Sequence, residues 1–173
     1  MKRIFLLLAV VGMTAFQSCS SDDDVVLTDN DTIAEVFEIN QDTNFTAANS
    51  YQISYDLNPQ IYSSDMVLLY RLKSVSGTDF WEPLPKTYYF SDGGELEYLF
   101  NFSVSRINIE IDSNFDVATE PAFSVNQVFR VVVIPGYLSN KGASSSVDLS
   151  DYKAVVKAYG LNESNIKTLQ PAK

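Results

Sequence analysis

The sequence predicts a mainly β protein: an antiparallel β-sandwich of about seven strands, followed by one or two short C-terminal helices. Three observations favour this class. Apolar and polar residues alternate over much of segment 32–134, as they do in half-buried strands. Segments 66–72 and 128–134 are apolar on both faces, which is typical of central strands. Beyond residue 136 the apolar residues recur with a helical period. An immunoglobulin-like layout is one arrangement of such strands.

Three segments show the alternation most clearly, and each predicts a strand with one buried face. Their numbering indicates that the buried set changes from even to odd positions near Ser105. A change of this kind requires a turn, bulge or bend at that point. The apolar residues are Tyr51, Ile53, Tyr55 and Leu57, then Leu96, Tyr98, Phe100, Phe102 and Val104, then Ile107, Ile109 and Ile111.

Turn residues separate the predicted strands. Asn58-Pro59 and Ser76-Gly77 mark two turns, and residues 91–94 read Ser-Asp-Gly-Gly. The last turn lies between segments 87–90 and 95–103, so we expect a hairpin there.

One helix is predicted near the C-terminus, with an apolar face directed inward. Asp148 or Ser150 is expected to cap its start, and Gly160 to end it. A second short helix is expected after Asn162, and the two helices are expected to close one end of the sandwich. The inward face of the first helix consists of Tyr152, Val155, Val156 and Tyr159.

Composition limits the classes of partner. The 173 residues are enough for one domain with a real core, since 46% of them are hydrophobic. Without Lys2 and Arg3 the chain has 10 basic and 22 acidic residues, a formal net charge of −12. This balance argues against nucleic acid as a partner, because nucleic acid requires a positive face. One cysteine cannot form an intramolecular disulfide, so packing must hold the fold.

The N-terminus has the pattern of an export signal. A short cationic start precedes an apolar segment over residues 4–16. That segment is shorter than the roughly 20 residues needed to span a bilayer, and it suits a signal peptide. Residues 16–19 read Phe-Gln-Ser-Cys, and Ser-Ser-Asp-Asp-Asp follows directly.

This motif resembles the lipobox of bacterial lipoproteins, in the relaxed form found in Bacteroidetes. The resemblance implies cleavage after residue 18 and lipid attachment at Cys19. It also implies that the acidic residues after the cysteine direct the protein to the outer membrane, with the cell surface expected and the periplasmic face as the alternative. Residues 1–18 would be the signal peptide, 19–31 the lipidated cysteine with an acidic stalk, and 32–173 one globular domain.

The body of the chain resembles a domain of predicted flavobacterial lipoproteins, related to domains that follow collagen-like repeats. The resemblance covers roughly residues 33–170 and implies no catalytic residue. It rests on the segments EVFEIN, FTAANSY, SDMVLLY, FWEPLP, FRVVVIP and YKAVVKAYGL. Asp31-Thr32-Ile33 also resembles the Bacteroidetes O-glycosylation motif, which makes Thr32 a candidate glycosylation site.

Composition excludes several kinds of catalytic site. Histidine is absent and the lone cysteine is assigned to lipid, so Ser-His and Cys-His nucleophiles and histidine or thiolate metal sites are ruled out. No cofactor and no metal is expected. A carboxylate-based hydrolase stays conceivable, and its candidate acids are Glu82, Glu95, Glu97, Glu110, Asp112 and Asp116.

A weaker pattern is the spacing of three side chains that follow Ile111. Asp112, Asn114 and Asp116 have the spacing of a calcium loop, but Val117 and Phe123 replace the glycine and glutamate of an EF-hand. An EF-hand is therefore excluded, and a looser calcium site in a turn is the alternative.

Aromatic residues near two prolines form the candidate ligand-binding site. Trp81 is the only tryptophan, and Pro83 and Pro85 restrict its segment to an edge strand or loop. With Tyr88 or Tyr89 it would offer a stacking platform for a sugar or a protein. The competing interpretation is that Trp81 plugs the end of the core. One of the two tyrosines must face outward.

The sequence therefore predicts a cell-envelope lipoprotein whose domain is non-enzymatic, with a binding or structural role. The expected partners are the membrane, reached through the lipid, and a glycan or an envelope protein. The sharper alternative is a carbohydrate- or polymer-binding module. A glycoside hydrolase acting through carboxylates and an inhibitor- or immunity-like partner of another protein are less favoured.

Overall fold

A computed structural model describes residues 33–139 and 147–172. The predicted signal peptide, the acidic stalk, Cys19 and Thr32 lie outside the described residues. Within the described part of the chain, no helix combines the length and apolar character required to cross a membrane.

Two five-stranded sheets build the domain, which confirms the predicted β-sandwich with short C-terminal helices. The first sheet has the order β4-β3-β8-β1-β9, and the second has the order β10-β2-β7-β6-β5. The strands are β1 (Glu35–Ile39), β2 (Gln52–Asp56), β3 (Met66–Val75), β4 (Thr78–Pro83), β5 (Lys86–Tyr89), β6 (Glu95–Phe102), β7 (Arg106–Ser113), β8 (Phe129–Ile134), β9 (Lys167–Thr168) and β10 (Gln170–Pro171).

Three α-helices are present in the described residues, all short. They are α1 (Pro121–Ser124), α2 (Gly136–Ser139) and α3 (Tyr152–Tyr159). The second C-terminal helix predicted after Asn162 is a single 3-10 turn over Glu163–Asn165, which the Asn162 side chain caps by accepting from the Ser164 N–H.

The strands pair antiparallel throughout, except that β9 runs parallel to β1. The ten strands that the structure describes exceed the predicted number of about seven, and two of the additional ones, β9 and β10, are two-residue strands that have no periodicity to read. The layout also differs from the immunoglobulin one. Here β1 and β2 lie in different sheets, whereas the first two immunoglobulin strands share a sheet.

The predicted turns are found where the chain must reverse. The change of buried positions near Ser105 is a turn between β6 and β7, closed by the Ser103 N–H donating to the Arg106 carbonyl at 2.8 Å. The β5–β6 hairpin is also confirmed, with Gly93 at a φ of 89° in its turn. Only glycine adopts such a backbone conformation without strain.

The main core lies between the two sheets. The buried residues of β2, β6 and β7 point into it, and odd-numbered residues of β3 and β8 meet them from the other sheet. Phe102 and Val104, which were predicted on the buried face, are instead 44% and 39% exposed, because they lie where β6 ends and the chain turns. The largest fully buried side chains of this core are Phe45, Tyr55, Tyr98, Phe129, Leu69, Leu96, Ile39, Ile107, Ile109 and Val131.

A second apolar cluster lies on the outer face of the first sheet, under α3. Tyr70 and Val132 face outward from β3 and β8 and pack with Tyr152 and Val155 of the helix. Both faces of β3 and β8 are therefore covered, as their continuous apolar sequences predicted. The expectation that the C-terminal helices close one end of the sandwich was wrong. The apolar surface that needs a cover is the outer face of the first sheet, and α3 packs on that face.

Candidate functional site

A groove lies between the edge strand β4 and the start of α3. It encloses about 410 Å³. We refer to it as the β4–α3 groove, and it is lined by Thr78, Asp79, Phe80, Trp81, Ser150, Asp151, Tyr152 and Lys153.

The helix side of the groove is fixed by the cap of α3. Asp151 adopts an extended backbone, and its side chain accepts hydrogen bonds from the Lys153 and Ala154 N–H groups. The expectation that Asp148 or Ser150 caps this helix was wrong. Those two residues form a preceding turn, in which the Asp148 carboxylate accepts from both the N–H and the hydroxyl of Ser150 and its pKa is lowered as a result. At the other end, Gly160 terminates α3 with a φ of 64°, as predicted.

Tyr152 joins the helix to the sheet. Its ring lies 5.1 Å from the ring of Tyr70 and 5.4 Å from that of Trp81, measured between centroids. Its hydroxyl donates to Glu163 at 2.8 Å. Burial, together with this hydrogen bond to a carboxylate, raises the pKa of Tyr152 to about 12, so the hydroxyl stays protonated at neutral pH.

Trp81 is half-buried at the base of the groove. The Arg130 guanidinium carbon lies 4.8 Å from the centre of its ring, a cation–π contact. Arg130 is itself held by Glu38, whose carboxylate accepts from Nε at 2.9 Å. The indole is therefore packed into the base of the groove and is not a free stacking platform. It supports the surface that a ligand would contact.

Phe80 lines the groove at the edge of the sheet, and half of its area is accessible, although its side chain leaves β4 on the face opposite to that of Trp81. The polar groups beside it are the carboxylates of Asp79 and Asp151, the hydroxyls of Thr78 and Ser150, and the ammonium of Lys153. A concave site with apolar surface and a few polar groups can bind a ligand with an apolar face and several hydroxyls.

The three aromatic residues predicted as a ligand site occupy different surroundings. Trp81 packs in the outer cluster with α3, and Tyr88 packs against the core between the sheets. Tyr89 is 76% exposed on β5, so one of the two tyrosines faces out as predicted. Trp81 lines the β4–α3 groove, whereas Tyr88 and Tyr89 do not. Trp81 also does not plug the end of the main core, because it lies on the outer face of the first sheet.

Tyr88 belongs to a buried polar cluster around Arg71. Its hydroxyl donates to the Glu82 carboxylate and accepts from Arg71 at 3.2 Å. Its ring packs edge-on against Phe123 at 4.9 Å. Burial and the bond to Glu82 outweigh the attraction of Arg71 for the phenolate, which raises the pKa of Tyr88 to about 12.

The acids considered for hydrolysis have structural contacts or lie on the outer face of the second sheet. Glu82 pairs with Lys73 at 3.4 Å, and Glu97 accepts from Thr87 at 3.1 Å. Asp116 caps the turn that follows β7 by accepting from the Ala118 N–H. The remaining candidates, Glu95, Glu110 and Asp112, lie on β6 and β7 at positions whose neighbours face the core. Glu95 and Asp112 line one shallow hollow of about 200 Å³ together with Glu97, and all three residues are exposed or half-buried there.

The residues with calcium-loop spacing, Asp112, Asn114 and Asp116, lie at the end of β7 and in the turn after it. Asn114 and Asp116 hold that turn by hydrogen bonds. Asn114 accepts from the Glu95 N–H at 2.8 Å and donates to the Gly93 carbonyl at 3.3 Å, so it ties two turns together. Asp116 accepts from the Tyr51 hydroxyl at 3.1 Å. Over the described ranges, no group of three or more acidic, histidine or cysteine residues is placed to hold a metal ion.

Phe80 and Tyr152 were not predicted as site residues, although both lie in predicted elements. Adjacent aromatic residues on an edge strand point to opposite faces, so the Phe80-Trp81 pair did signal that one ring would be exposed. The contact between β4 and α3 has no such signal, because it joins residues about 70 positions apart.

Comparisons with family models, with curated proteins and with solved structures found no match to this chain.

Proposed function

We propose that this chain is a cell-envelope lipoprotein, tethered to the outer membrane through lipid on Cys19, whose domain binds a carbohydrate in the β4–α3 groove without catalysing its conversion. The tether follows from the apolar leader, the lipobox-like residues 16–19 and the acidic residues after them. A lipid-anchored domain would meet polymers of its own envelope or of its surroundings.

The two aromatic residues that line the groove, half-exposed Phe80 and half-buried Trp81, lie beside carboxylate and hydroxyl groups and carry the carbohydrate proposal. A sugar ring offers an apolar C–H face and a rim of hydroxyls. An aromatic side chain covers the first, and the side chains of Asp79, Ser150 and Thr78 suit the second. Asp79 and Asp151 outnumber Lys153, so the groove favours a neutral sugar over an acidic one.

The groove is built on stable parts of the fold, which suits a binding site. β4 pairs with β3 over its whole length, from Thr78 opposite Val75 to Pro83 opposite Tyr70. The helix wall is capped by Asp151 and anchored by Tyr152. Little side-chain ordering is then required when a ligand binds, which limits the entropic cost of association.

A glycan array probed with the mature domain tests the proposal. Phe80→Ala is the diagnostic variant, because the side chain is half exposed and its removal spares the core. Tyr89→Ala is the matched control, since it removes an even more exposed aromatic from β5, outside the groove. We expect wild type and Tyr89→Ala to bind the same neutral glycan, and Phe80→Ala to bind it at least tenfold more weakly, a loss of about 1.4 kcal/mol.

Two results would overturn the carbohydrate proposal. One is the absence of binding by the wild-type protein to any glycan on the array. The other is an equal loss of glycan affinity in Phe80→Ala and Tyr89→Ala, which would show that binding does not depend on the β4–α3 groove. Circular dichroism of both variants ensures that a loss of binding is not a loss of fold.

A further inference from the structure

A second groove lies beside the end of β3, on the side away from β4. The ladder between β3 and β8 ends where Arg71 pairs with Phe129, and the Leu72 N–H donates to the Val128 carbonyl at 2.8 Å. Beyond this point β3 continues to Val75 with β4 as its ladder partner, and the segment 122–128 forms the opposite wall. We call this the β3–loop groove, and it encloses about 370 Å³.

The charge of the β3–loop groove is opposite to that of the chain. Two cationic residues, Arg71 and Lys73, line it, and none of its described lining residues is acidic. The whole chain has 22 acidic and 12 basic residues. A positive hollow in a negative protein focuses its potential on an anionic group and repels cations.

Arg71 gives the groove a fixed cationic floor. Its side chain is buried, Nε donates to the Gln127 side chain at 2.8 Å, and the guanidinium also donates to the Ala122 carbonyl at 3.0 Å. The guanidinium carbon lies 4.9 Å and 5.1 Å from the ring centres of Tyr98 and Phe123. A guanidinium has five N–H donors, so the three bonds it makes to described residues, including the one to Tyr88, leave further donor capacity.

Lys73 supplies the accessible cation. Its side chain is 40% exposed, while the Glu82 carboxylate at 3.4 Å is only 18% exposed. Glu82 also lies 3.8 Å from Arg71 and accepts from Tyr88, so it is shared among three partners. Together Arg71 and Lys73 exceed this single carboxylate by one positive charge.

The loop wall is tied down by hydrogen bonds and presents both polar and apolar groups. The Gln127 amide donates to the Val125 carbonyl at 2.7 Å, and the Asn44 side chain accepts from the Asn126 N–H at 2.8 Å. Asn126 has a φ of 51°, a left-handed conformation that asparagine tolerates better than most residues. Val125 is 45% exposed and adds apolar surface next to these polar groups.

We propose that the β3–loop groove binds the oxyanion group, carboxylate or sulfate, of an acidic oligosaccharide. Lys73 forms the ion pair with the oxyanion, Arg71 holds the positive potential at the floor, and Val125 contacts the apolar face of the sugar ring. This site is separate from the β4–α3 groove, which favours a neutral sugar, so either can fail without the other.

Calorimetric titration of the mature protein at low salt tests the proposal with three probes: trigalacturonate, a sulfated oligosaccharide of similar length, and neutral maltotriose. We expect at least one anionic probe to bind and 0.5 M salt to weaken that binding, since ion pairs at exposed sites are screened. The identity of the binding probe distinguishes a carboxylate from a sulfate as the recognised group.

Lys73→Gln should weaken the anionic probe about tenfold, which equals roughly 1.4 kcal/mol. Lys157→Gln is the matched control, because it removes the same charge from an exposed position on α3. It should leave the affinity unchanged. Lys73 is preferred to Arg71 for this test because a variant of the buried arginine can fail to fold. Absence of binding by both anionic probes, or equal weakening by both lysine variants, would overturn the proposal.

Discussion

The guanidinium of Arg130 stacks on the ring of Trp81, 4.8 Å from its centre, and joins four elements of the domain. Arg130 lies on β8 and Trp81 on β4. The same guanidinium donates to the Glu38 carboxylate of β1 at 2.9 Å and to the Tyr152 hydroxyl of α3 at 3.1 Å. This arginine therefore holds the helix against the sheet and shapes the base of the β4–α3 groove.

Arg130→Lys should destabilise the domain by about 1–2 kcal/mol, because an ammonium loses both the planar stacking and the fork of donors. Urea unfolding followed by far-ultraviolet circular dichroism measures the change. The control is Arg106→Lys, whose ion pair with Asp56 at 2.9 Å is largely exposed. Exposed pairs contribute little, so the control should change stability by less than about 0.5 kcal/mol. Equal effects of the two variants would contradict the assigned role of Arg130.

Arg71→Met should be more damaging than any change at Arg130. It retains most of the side-chain volume but removes one hydrogen-bond donor each from Tyr88, Gln127 and the Ala122 carbonyl, and it takes away the positive charge beside the Glu82 carboxylate. Loss of one partner of a buried polar cluster costs about 3 kcal/mol or more. Chemical unfolding measures this loss, and a change below about 1 kcal/mol would show that the cluster is not important for stability.

The residue that caps α3 is Asp151 in the structure, whereas the sequence predicted Asp148 or Ser150. Asp151→Ala should cost about 1 kcal/mol, since two N–H groups of the first turn lose their acceptor. Ser150→Ala should cost less than about 0.5 kcal/mol, because Ser150 lies in the turn before the cap and is exposed. The reverse order in thermal unfolding would restore Ser150 as the capping residue.

Stability should fall as the pH rises above 10. The folded pKa values of Tyr88 and Tyr152 are raised to about 12 from an ordinary value of 10.0. Their contribution to stability is therefore complete below pH 10 and is lost as the pH rises towards 12. Denaturant midpoints recorded across this window measure the loss.

Tyr88→Phe and Tyr152→Phe should each reduce the decrease in stability above pH 10, because each removes one of the ionising hydroxyls. Tyr89→Phe is the control, since this tyrosine lies on the same strand as Tyr88 but is 76% exposed. If the pH dependence of stability is the same in all three variants and the wild type, burial of the first two hydroxyls does not control it.

Much of the fold could be predicted from the sequence because strand periodicity is local. The alternation at Ile107, Ile109 and Ile111 predicted β7, and the Ser-Asp-Gly-Gly turn predicted the β5–β6 hairpin. Segments 66–72 and 128–134 are apolar on both faces, and this pattern predicted that β3 and β8 would be covered on both sides. What covers them on the outside was not predictable, because α3 reaches Tyr70 from a distant part of the chain.

The candidate site was predicted only in part for the same reason. Trp81 was singled out as the only tryptophan, and it does line a groove. Its partners Arg130 and Tyr152 come from β8 and α3, and no spacing in the sequence connects them to β4. Arg71 was not considered at all, because an arginine within an apolar strand carries no signal of the aromatic rings that surround it.

The proposed tether is tested most directly by mass spectrometry of the protein isolated from the envelope of the cells that make it. We expect the first residue to be Cys19, with a mass increase that matches acyl chains on its sulfur and amino group. More than one buried chain gives stable anchoring, at about 0.8 kcal/mol for each methylene. An N-terminal peptide that begins elsewhere, or that carries Cys19 without acyl chains, would contradict lipid anchoring and with it the placement of this domain at the membrane.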